Sequence, residues 1–415
     1  MFTSFSTALS ALNAFSTGID VVGNNLANLD TSGFKASSVS FYDLVTQSLG
    51  AGLGETQVGF GVGAPITQRG FSQGAIQTTS GPLDAAISGD GFFIVRDPNN
   101  GSTQYTRSGS FQVDLSGNLT TATGQLVQGW TNQNGVLDTN SAPGAINVPT
   151  GTLKPPVATQ NFSLTMNLNS APSGSQPNTY STSLQVYDSL GTPHTVTAQF
   201  TESSTPGQWD YSISVPGADL TSGSYTPVTG SLTFDSNGIL TSPAPTDPSP
   251  QIQITGLADG ATDMTLNWNL YNNGSPQVTQ FAQASSVSAL YQDGSAAAQL
   301  SHVGIANGGK IVAQYSDGTQ TIVGQLAMAT IRNPESLIAI GNSNFQLSAA
   351  SALPAVGVPG TGGRGAVLGG SIESSTADIA KEFTNLIVLQ RGYEANAKVV
   401  TTVDQVSQDT IALKQ

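Results

Sequence analysis

The sequence predicts a mainly β, multidomain protein with a long α-helix at each terminus and with its domains nested inside one another. Three observations support this fold class. Apolar residues recur at helical spacing near both ends of the chain, and Asn-Gly and Asp-Gly turn pairs recur between those ends. Segments rich in proline and glycine separate these regions. We therefore expect the two terminal helices to form a coiled-coil-like axial core and the β-domains to lie between them in sequence.

The N-terminal helix is predicted from apolar residues whose spacing alternates between three and four, which is a heptad stripe. The helix should end within "NNLANLDTSGFK", residues 24–35, where Gly33 permits a sharp turn and Asn24, Asn25 and Asn28 can bond nearby backbone. A single amphipathic helix packed on its own domain would show the same pattern. The stripe consists of Phe5, Ala8, Leu12, Phe15, Ile19, Val22, Leu26 and Leu29.

The C-terminal helix is predicted by a second apolar repeat, at about 3.6-residue spacing. Ser375 and Asp378 have the spacing of a capping box at its start, and Gly392 is a weak position in its interior. The repeat consists of Ile379, Phe383, Leu386, Leu389, Tyr393, Val400, Val403, Val406 and Leu413.

The interior of the chain is expected to be β-sheet. Residues 109–124 and 310–326 each place a turn sequence between apolar stretches, so each predicts a hairpin. The Pro- and Gly-rich segments then give four nested domains. These are a terminal helical axial core (1–30 with 375–415), a linker or hinge region (31–70 with 352–374), a first β-domain (71–144 with 285–351) and an outer β-domain inserted in the first (145–284).

The composition argues against several classes of function. The net charge is −14 with 12 Lys and Arg residues, which disfavours nucleic-acid binding. The chain has no cysteine and two histidines, so we expect no disulfide scaffold, metal site or cofactor. No apolar run is long enough to enter a membrane. The first 15 residues contain no Lys or Arg, so we expect export without a cleavable Sec-type signal peptide.

Motifs that suggest catalysis lack the context that catalysis requires. "GTGGRG" at 360–365 follows a Pro-rich segment rather than a strand, which favours a linker over a dinucleotide site. "GFSQG" at 70–74 precedes sequence of strand character, whereas a nucleophile elbow needs a helix there. Trp130, Trp209 and Trp268 are expected to be core or sheet residues. We therefore expect the protein not to be an enzyme.

Several stretches together resemble the bacterial flagellar rod and hook protein family. "SALNAFSTGIDVVGNNLANLDTSGFKAS" is similar to the family's N-terminus, and "EFTNLIVLQRGYEANAKVVTTVDQV" is similar to its C-terminal helix. "SGPLDAAISGDGFFIV" and "YTRSGSFQVDLSGNL" resemble its first β-domain. "SLQVYDSLGTPHTVTAQF", at 183–200, resembles the outer domain of the hook-forming members, which the shorter distal-rod members lack.

The resemblance implies a structural subunit that polymerises into a curved, flexible tube, which joins the rotary motor to the filament and transmits torque. Its implied partners are copies of itself, the distal rod, the hook cap, the hook–filament junction proteins and the flagellar type III export gate. Its implied location is the extracellular hook of the flagellum. "FYDLV" matches the family's export-gate motif, with Phe41 and Val45 as the anchors, although both residues could simply pack in the linker region. The axial-helix residues expected at subunit interfaces are Phe5, Leu12, Phe15, Ile19, Val22, Leu26, Phe383, Leu386, Tyr393, Val400 and Val403.

Two alternative functions remain open from the sequence. A long distal-rod protein would share the terminal helices and the first β-domain. A secreted β-rich enzyme or adhesin with helical ends would instead show a pocket with perturbed titratable groups.

Overall fold

The computed structural model describes residues 2–44, 47–49, 56–132, 136–151, 153–171 and 177–412. It contains two compact units. Unit 1 consists of residues 1–150, 302–314 and 320–415, and unit 2 consists of 151–301 and 315–319. Unit 1 is therefore built largely from the two ends of the chain, and unit 2 from the sequence between them.

Within the described residues, two long α-helices lie at the ends of the chain: α1 is Phe2–Ala27 and α2 is Ile379–Ala412. Two short 3-10 turns lie at Gly217–Asp219 and Pro334–Ser336. No helix among the described residues combines the length and the apolar character needed to cross a membrane.

The strands before the central insertion are β1 (Ser37–Ser40), β2 (Gln47–Leu49), β3 (Thr56–Val58), β4 (Ile66–Arg69), β5 (Ile76–Thr78), β6 (Ala85–Ser88), β7 (Phe92–Arg96), β8 (Thr103–Thr106), β9 (Phe111–Val113), β10 (Leu119–Thr121), β11 (Leu126–Thr131) and β12 (Gly144–Ala145). Those of unit 2 are β13 (Asn161–Asn169), β14 (Thr179–Tyr187), β15 (Pro193–Glu202), β16 (Gln208–Ser214), β17 (Val228–Phe234), β18 (Leu240–Ser242), β19 (Gln251–Ile254), β20 (Met264–Trp268), β21 (Tyr271–Asn272), β22 (Ser275–Pro276), β23 (Val278–Phe281) and β24 (Ser286–Gln292). The remaining strands are β25 (Leu300–Ala306), β26 (Lys310–Tyr315), β27 (Gln320–Leu326), β28 (Met328–Thr330), β29 (Ile338–Gly341), β30 (Asn344–Gln346), β31 (Ala355–Gly357), β32 (Ala366–Gly369) and β33 (Ser371–Glu373).

The main sheet of unit 1 runs in the order β25-β26-β27-β11-β7-β8-β30-β29. The two predicted hairpins are confirmed, because β9 pairs antiparallel with β10 and β26 with β27. Smaller ladders join segments from opposite ends of the chain, with β6 paired to β32 and β5 paired to β33. These two ladders bring the segment that leads into α2 beside the strands that follow α1.

Unit 2 contains two five-stranded sheets, one built around β13 and the other a meander from β14 to β18. Their alternating apolar residues form one core. In this core the Trp268 ring is parallel to the Phe162 ring, with 6.1 Å between ring centroids, and is perpendicular to the Tyr211 ring, with 5.2 Å between centroids. Trp130, Trp209 and Trp268 are all buried, as the sequence predicted for core residues.

One predicted domain boundary is corrected. The sequence placed residues 285–351 in the first β-domain, but β24 pairs with β13 from Phe162 to Asn167, so residues 285–301 lie in unit 2. This pairing joins strands that are far apart in sequence, which a local sequence pattern does not predict. The division into four domains stays a prediction.

Candidate functional site: the terminal helix pair and its junction

The two terminal helices pack against each other in an antiparallel arrangement. Asn25 contacts Glu382, Gly18 lies against Leu389, and Gly392 lies against Phe15. The two residue numbers in each pair add to 407, so the pairs share one register. In this register the start of α1 comes level with Gln405, and Val406–Ala412 extends beyond α1.

Small residues form the buried face of α1. Ala8, Ala11, Ala14 and Gly18 recur at spacings of three and four, and Val22 and Asn25 continue the same face. The heptad stripe predicted from the sequence shares only Ala8 and Val22 with this face. Small side chains allow two helix backbones to approach closely, so the large apolar residues beside them are displaced towards solvent.

Two glycines mark the closest approach between the helices. A Cβ atom at Gly18 would lie 3.0 Å from Leu389 Cδ2, and one at Gly392 would lie 2.6 Å from two ring carbons of Phe15. The Phe15 ring also contacts Phe41, with 5.7 Å between centroids. Gly392, which the sequence indicated as a weak helical position, is thus the position that accommodates an aromatic ring from α1.

The predicted interface residues differ in burial. Val22 is buried within the subunit, and Phe5, Phe383 and Tyr393 are exposed. The half-buried members are Leu12, Phe15, Ile19, Leu26, Leu386, Val400 and Val403. Phe41 is exposed except for its contact with Phe15, and Val45 lies outside the described residues.

Further large apolar side chains on the helices are exposed although the sequence did not single them out as interface residues. In α2, Ile387 is 58 % exposed and Val388 is 62 % exposed. The part of α2 that extends beyond α1 adds Val406 and Ile411, which is 65 % exposed. Together with Leu9 on α1, these residues leave the helix pair with apolar surface that the single chain does not cover.

A side-chain amide holds the chain where it leaves α1. Asn25 is fully buried, and its amide accepts a hydrogen bond from the Ser37 amide nitrogen at 3.0 Å and donates one to the Ser37 carbonyl at 2.8 Å. It also donates to Glu382 of α2 at 3.2 Å.

Asp378 caps the start of α2, because its side chain accepts a hydrogen bond from the Lys381 amide at 2.9 Å. Of the two predicted capping residues, Asp378 is therefore the one adjacent to the helix.

The predicted turn after α1 depends on a glycine. Gly33 has a φ of +67°, and a Cβ atom there would lie 2.5 Å from the Ser108 backbone nitrogen. The Gly33 amide donates to the Glu373 carbonyl at 2.8 Å, which ties the segment after α1 to the segment before α2. The sequence indicated this permissive backbone, but not the close neighbour that requires it.

Three charged side chains meet in the interior next to this turn. Lys35 Nζ lies 2.7 Å from Glu373 Oε1, and Arg107 Nη1 lies 3.2 Å from Glu373 Oε2. All three residues are buried. Burial lowers the pKa of Lys35, against the opposing effect of its hydrogen bond to Glu373. The sequence patterns did not predict this cluster. Only 9 % of the residues are charged, so it is unusual that three of them are buried together.

The other cluster of buried titratable groups lies in unit 2. His194 Nε2 lies 2.9 Å from Asp188 and its Nδ1 lies 3.1 Å from Asp219. Asp188, His194 and Asp259 offer atoms close enough together for a metal ion. Both ring nitrogens of His194 already face a carboxylate, however, which leaves neither nitrogen free to bind a metal, and the two carboxylates favour the protonated form of the ring.

Four segments of the chain match known protein families. Residues 5–35 match the flagella basal body rod protein family, and residues 368–413 match the C-terminal family of the flagellar basal body rod FlgEFG proteins. Residues 86–165 match the flagellar hook protein FlgE/F/G D1 domain, and residues 158–295 match the flagellar basal body protein FlaE D2 domain. The first match covers α1 from Phe5 onwards with its following turn, and the second covers all of α2.

Full-length relatives and a solved structure agree with these matches. The chain is 32% identical over 450 residues to the flagellar hook protein FlgE of Borreliella burgdorferi, covering 100% of both chains. It is 32% identical over 429 residues to that of Salmonella typhimurium, covering 99% of this chain and 100% of the relative. The fold is similar to the crystal structure of Helicobacter pylori flagellar hook protein FlgE2, with a TM-score of 0.52 and 13% identity over 70% of this chain and 99% of that one. This chain therefore belongs to the flagellar hook protein FlgE family.

Proposed function

We propose that this protein is the structural subunit of the bacterial flagellar hook, and that it self-assembles into a curved, flexible tube that carries torque from the rod to the filament. The observation that carries the proposal is the apolar surface left open on the helix pair. The small-residue face of α1 is used to join the two helices within one chain. Phe5, Phe383, Ile387 and Val388 are left exposed on the outside of that pair.

In this proposal, helix pairs from many copies pack side by side and form a coiled-coil-like axial core. Removing a large apolar side chain from water contributes about 1.5–3 kcal/mol, and each subunit offers several such side chains. Although the whole chain has a net charge of −14, α1 and α2 together carry three basic and five acidic residues, so the helices add little repulsion when copies approach one another. Interface positions then include the predicted residues of α1 and α2 except Val22, which is buried within the subunit, together with Ile387, Val388, Val406 and Ile411.

The proposal also includes the location and the partners implied by family membership. The subunit would be exported through the flagellar type III gate to the outside of the cell, with Phe41 and Val45 as gate-recognition residues in the unfolded chain. In the folded chain Phe41 instead packs on Phe15. The polymer would contact the distal rod at one end and the cap or junction proteins at the other.

The test is polymerisation of purified subunits, observed by electron microscopy. Phe383→Asp and Ile387→Asp place a charge on exposed apolar positions, so the subunit should keep its fold and lose the ability to form tubes. Phe383→Leu and Ile387→Leu are the matched controls, because they keep an apolar side chain at the same positions and should still polymerise. Asn99→Asp adds the same charge at an exposed position outside the helix pair. Normal tubes from Phe383→Asp and Ile387→Asp would show that the exposed face of the helix pair is not the assembly surface.

A further inference from the structure

Buried charge in this protein is concentrated at one place. Among the described residues, the buried acidic and basic side chains are Lys35, Arg107, Asp188, His194, Glu373 and Glu382. Four of these six lie where the helix pair meets the β-strands of unit 1. We call Asn25, Lys35, Arg107, Glu373 and Glu382 the buried polar joint.

We propose that the buried polar joint is the torsion coupling of the subunit, which fixes the rotation of the helix pair relative to the β-sheet part of unit 1. The inference rests on the proposed function, because a coupling matters only in a protein that carries torque. It assigns a mechanical role to four charged residues that the sequence did not indicate, and to Asn25, which was expected only to bond nearby backbone.

The joint connects both chain segments that leave the helices. On the side of α1, Asn25 holds both backbone groups of Ser37 and reaches Glu382 of α2. Thr376, just before α2, accepts from the Ala36 amide at 2.9 Å and donates its own amide to the Phe34 carbonyl at 3.1 Å. The two connecting segments are therefore bonded to each other directly below the helix pair.

The same segments are bonded to the β-strands through Glu373. Its Oε1 accepts from Lys35 Nζ and from the Gly74 amide, each at 2.7 Å, and its Oε2 accepts from Arg107. Lys35 also donates to the Ser72 carbonyl at 2.6 Å, and Arg107 donates to the Gly89 carbonyl at 2.9 Å. The Arg107 guanidinium lies 5.4 Å from the centre of the Phe92 ring in the sheet core.

Polar contacts suit a coupling better than apolar contacts do. Apolar burial is non-directional, so two apolar surfaces can slide with little change in free energy. Hydrogen bonds depend on angle, and a buried charge that loses its partner is strongly unfavourable. Rotating the helix pair about its connections would separate Lys35 from Glu373 at a buried site, so the arrangement favours a single orientation.

Lys35→Met tests the coupling by removing the ion pair between Lys35 and Glu373. It keeps an unbranched side chain of similar length, and it leaves Glu373 paired with Arg107, although the joint then holds one buried cation beside the two carboxylates of Glu373 and Glu382. Asn25→Leu cuts the bonds on the helix side. Lys154→Met is the matched control for replacing a paired lysine by methionine, because Lys154 forms an ion pair with Asp317 in unit 2. Ile94→Val is the control for stability, because it removes a buried methyl group from the sheet core.

The first experiment measures the torsional compliance of hooks on cells, from the rotational fluctuations of a bead attached to a hook whose motor is locked. We expect hooks of Lys35→Met and Asn25→Leu to be at least about twofold more compliant in torsion than the wild type. Ile94→Val and Lys154→Met should leave the compliance unchanged, even where they lower the unfolding temperature. Joint variants that change only the unfolding temperature would show a merely structural role and overturn the proposal.

A second measurement covers variants that fail to form hooks. Because the chain has no cysteine, Asn99→Cys and Gln390→Cys place two spin labels at exposed sites, one on the sheet part and one on α2. Labelled subunits are diluted into unlabelled ones, or measured as soluble subunits where no polymer forms. The width of the label-to-label distance distribution should increase about twofold in the joint variants, and an unchanged width would overturn the coupling. A wild type that does not polymerise would instead refute the proposed function.

Discussion

Two helix glycines should respond in opposite directions to the same substitution. Gly23 in α1 has no atom within 4 Å of the position where a Cβ would lie, whereas Gly392 in α2 faces the Phe15 ring. In an open helix interior, alanine is about 0.8–1.0 kcal/mol more favourable than glycine. We therefore expect Gly23→Ala to stabilise the helix pair by up to about 1 kcal/mol.

Gly392→Ala has the same helical advantage but must make room for its methyl group. The new Cβ would lie 2.6 Å from two carbons of Phe15, where a carbon–carbon contact needs about 3.5–4.0 Å. The ring would have to retreat by about 1 Å, and overpacking of this kind costs about 1–3 kcal/mol. Moving the ring also weakens its contact with Phe41. The net effect should be a destabilisation of up to about 2 kcal/mol, which places the two variants about 1–3 kcal/mol apart.

The assay is thermal unfolding of the dilute subunit, followed by far-ultraviolet circular dichroism and by hydrogen exchange of helix amides. A change of 1 kcal/mol should move the midpoint by several degrees. Combining Gly392→Ala with Phe15→Leu should recover part of the loss, because the smaller side chain vacates the contested space. If Gly392→Ala stabilises the helices as much as Gly23→Ala does, the close approach at Phe15 is wrong and the antiparallel register must be revised.

Three further predictions follow from unit 1 and unit 2. Gly33→Ala should destabilise unit 1 by well over the roughly 1–2 kcal/mol expected from a left-handed conformation alone, because the added Cβ meets the backbone at Ser108. Gly124→Ala is the control, because Gly124 has a φ of +87° and open space around it. Equal losses of stability in urea unfolding would contradict the contact at Ser108. Burial opposes protonation of His194, but its hydrogen bonds to Asp188 and Asp219 raise the pKa of His194. The contribution of His194 to the free energy of unfolding is therefore complete below about pH 6.5, and it is lost as the pH rises through the pKa that His194 has in the folded state. The free energy of unfolding of the full chain, followed by tryptophan fluorescence, should fall on that rise, and His194→Gln should remove the dependence. Burial also opposes ionisation of Asp188, but its hydrogen bond with Asp259, and those that it accepts from His194 and the backbone, hold the pKa of Asp188 at about 2. Its contribution should therefore persist above about pH 4 and disappear as the pH approaches 2, and Asp188→Asn should abolish that acid-dependent loss.

The sequence predicted which elements exist better than it predicted which residues they bury. Period and turn chemistry located both terminal helices and the hairpins at β9–β10 and β26–β27, because these signals are local. The same periodicity selected Phe5, Leu12 and Phe15 as the contact stripe of α1. In the structure, Ala8, which the stripe included, shares the buried face with Ala11, Ala14 and Gly18, which it did not include. A hydrophobicity pattern gives little weight to alanine and glycine, although their small size is what lets the helices approach.

The buried polar joint was beyond local reasoning for a different reason. Lys35 and Glu373 are 338 positions apart, and neither lies in a motif that demands a charge. Their meeting depends on the ladder between β5 and β33, which joins segments from opposite ends of the chain. The one feature of the sequence that distinguishes Lys35 is that it is the first basic residue of the chain, after 34 residues without Lys or Arg.

The distribution of charge suggests how one subunit could be compliant in one direction and stiff in another. The chain has 12 Lys and Arg residues, and two of them, Lys35 and Arg107, are buried in the joint, where each bond has one favourable geometry. The exposed faces of α1 and α2 present apolar side chains such as Ile387 and Val388, whose contacts are non-directional. If neighbouring copies meet through such faces, a small shift between copies changes the free energy little, which allows bending. Rotation inside a copy must instead break buried ionic bonds, which resists torsion. Stiffness would then be set within the subunit and flexibility between subunits, because directional and non-directional contacts are placed in different parts of the molecule.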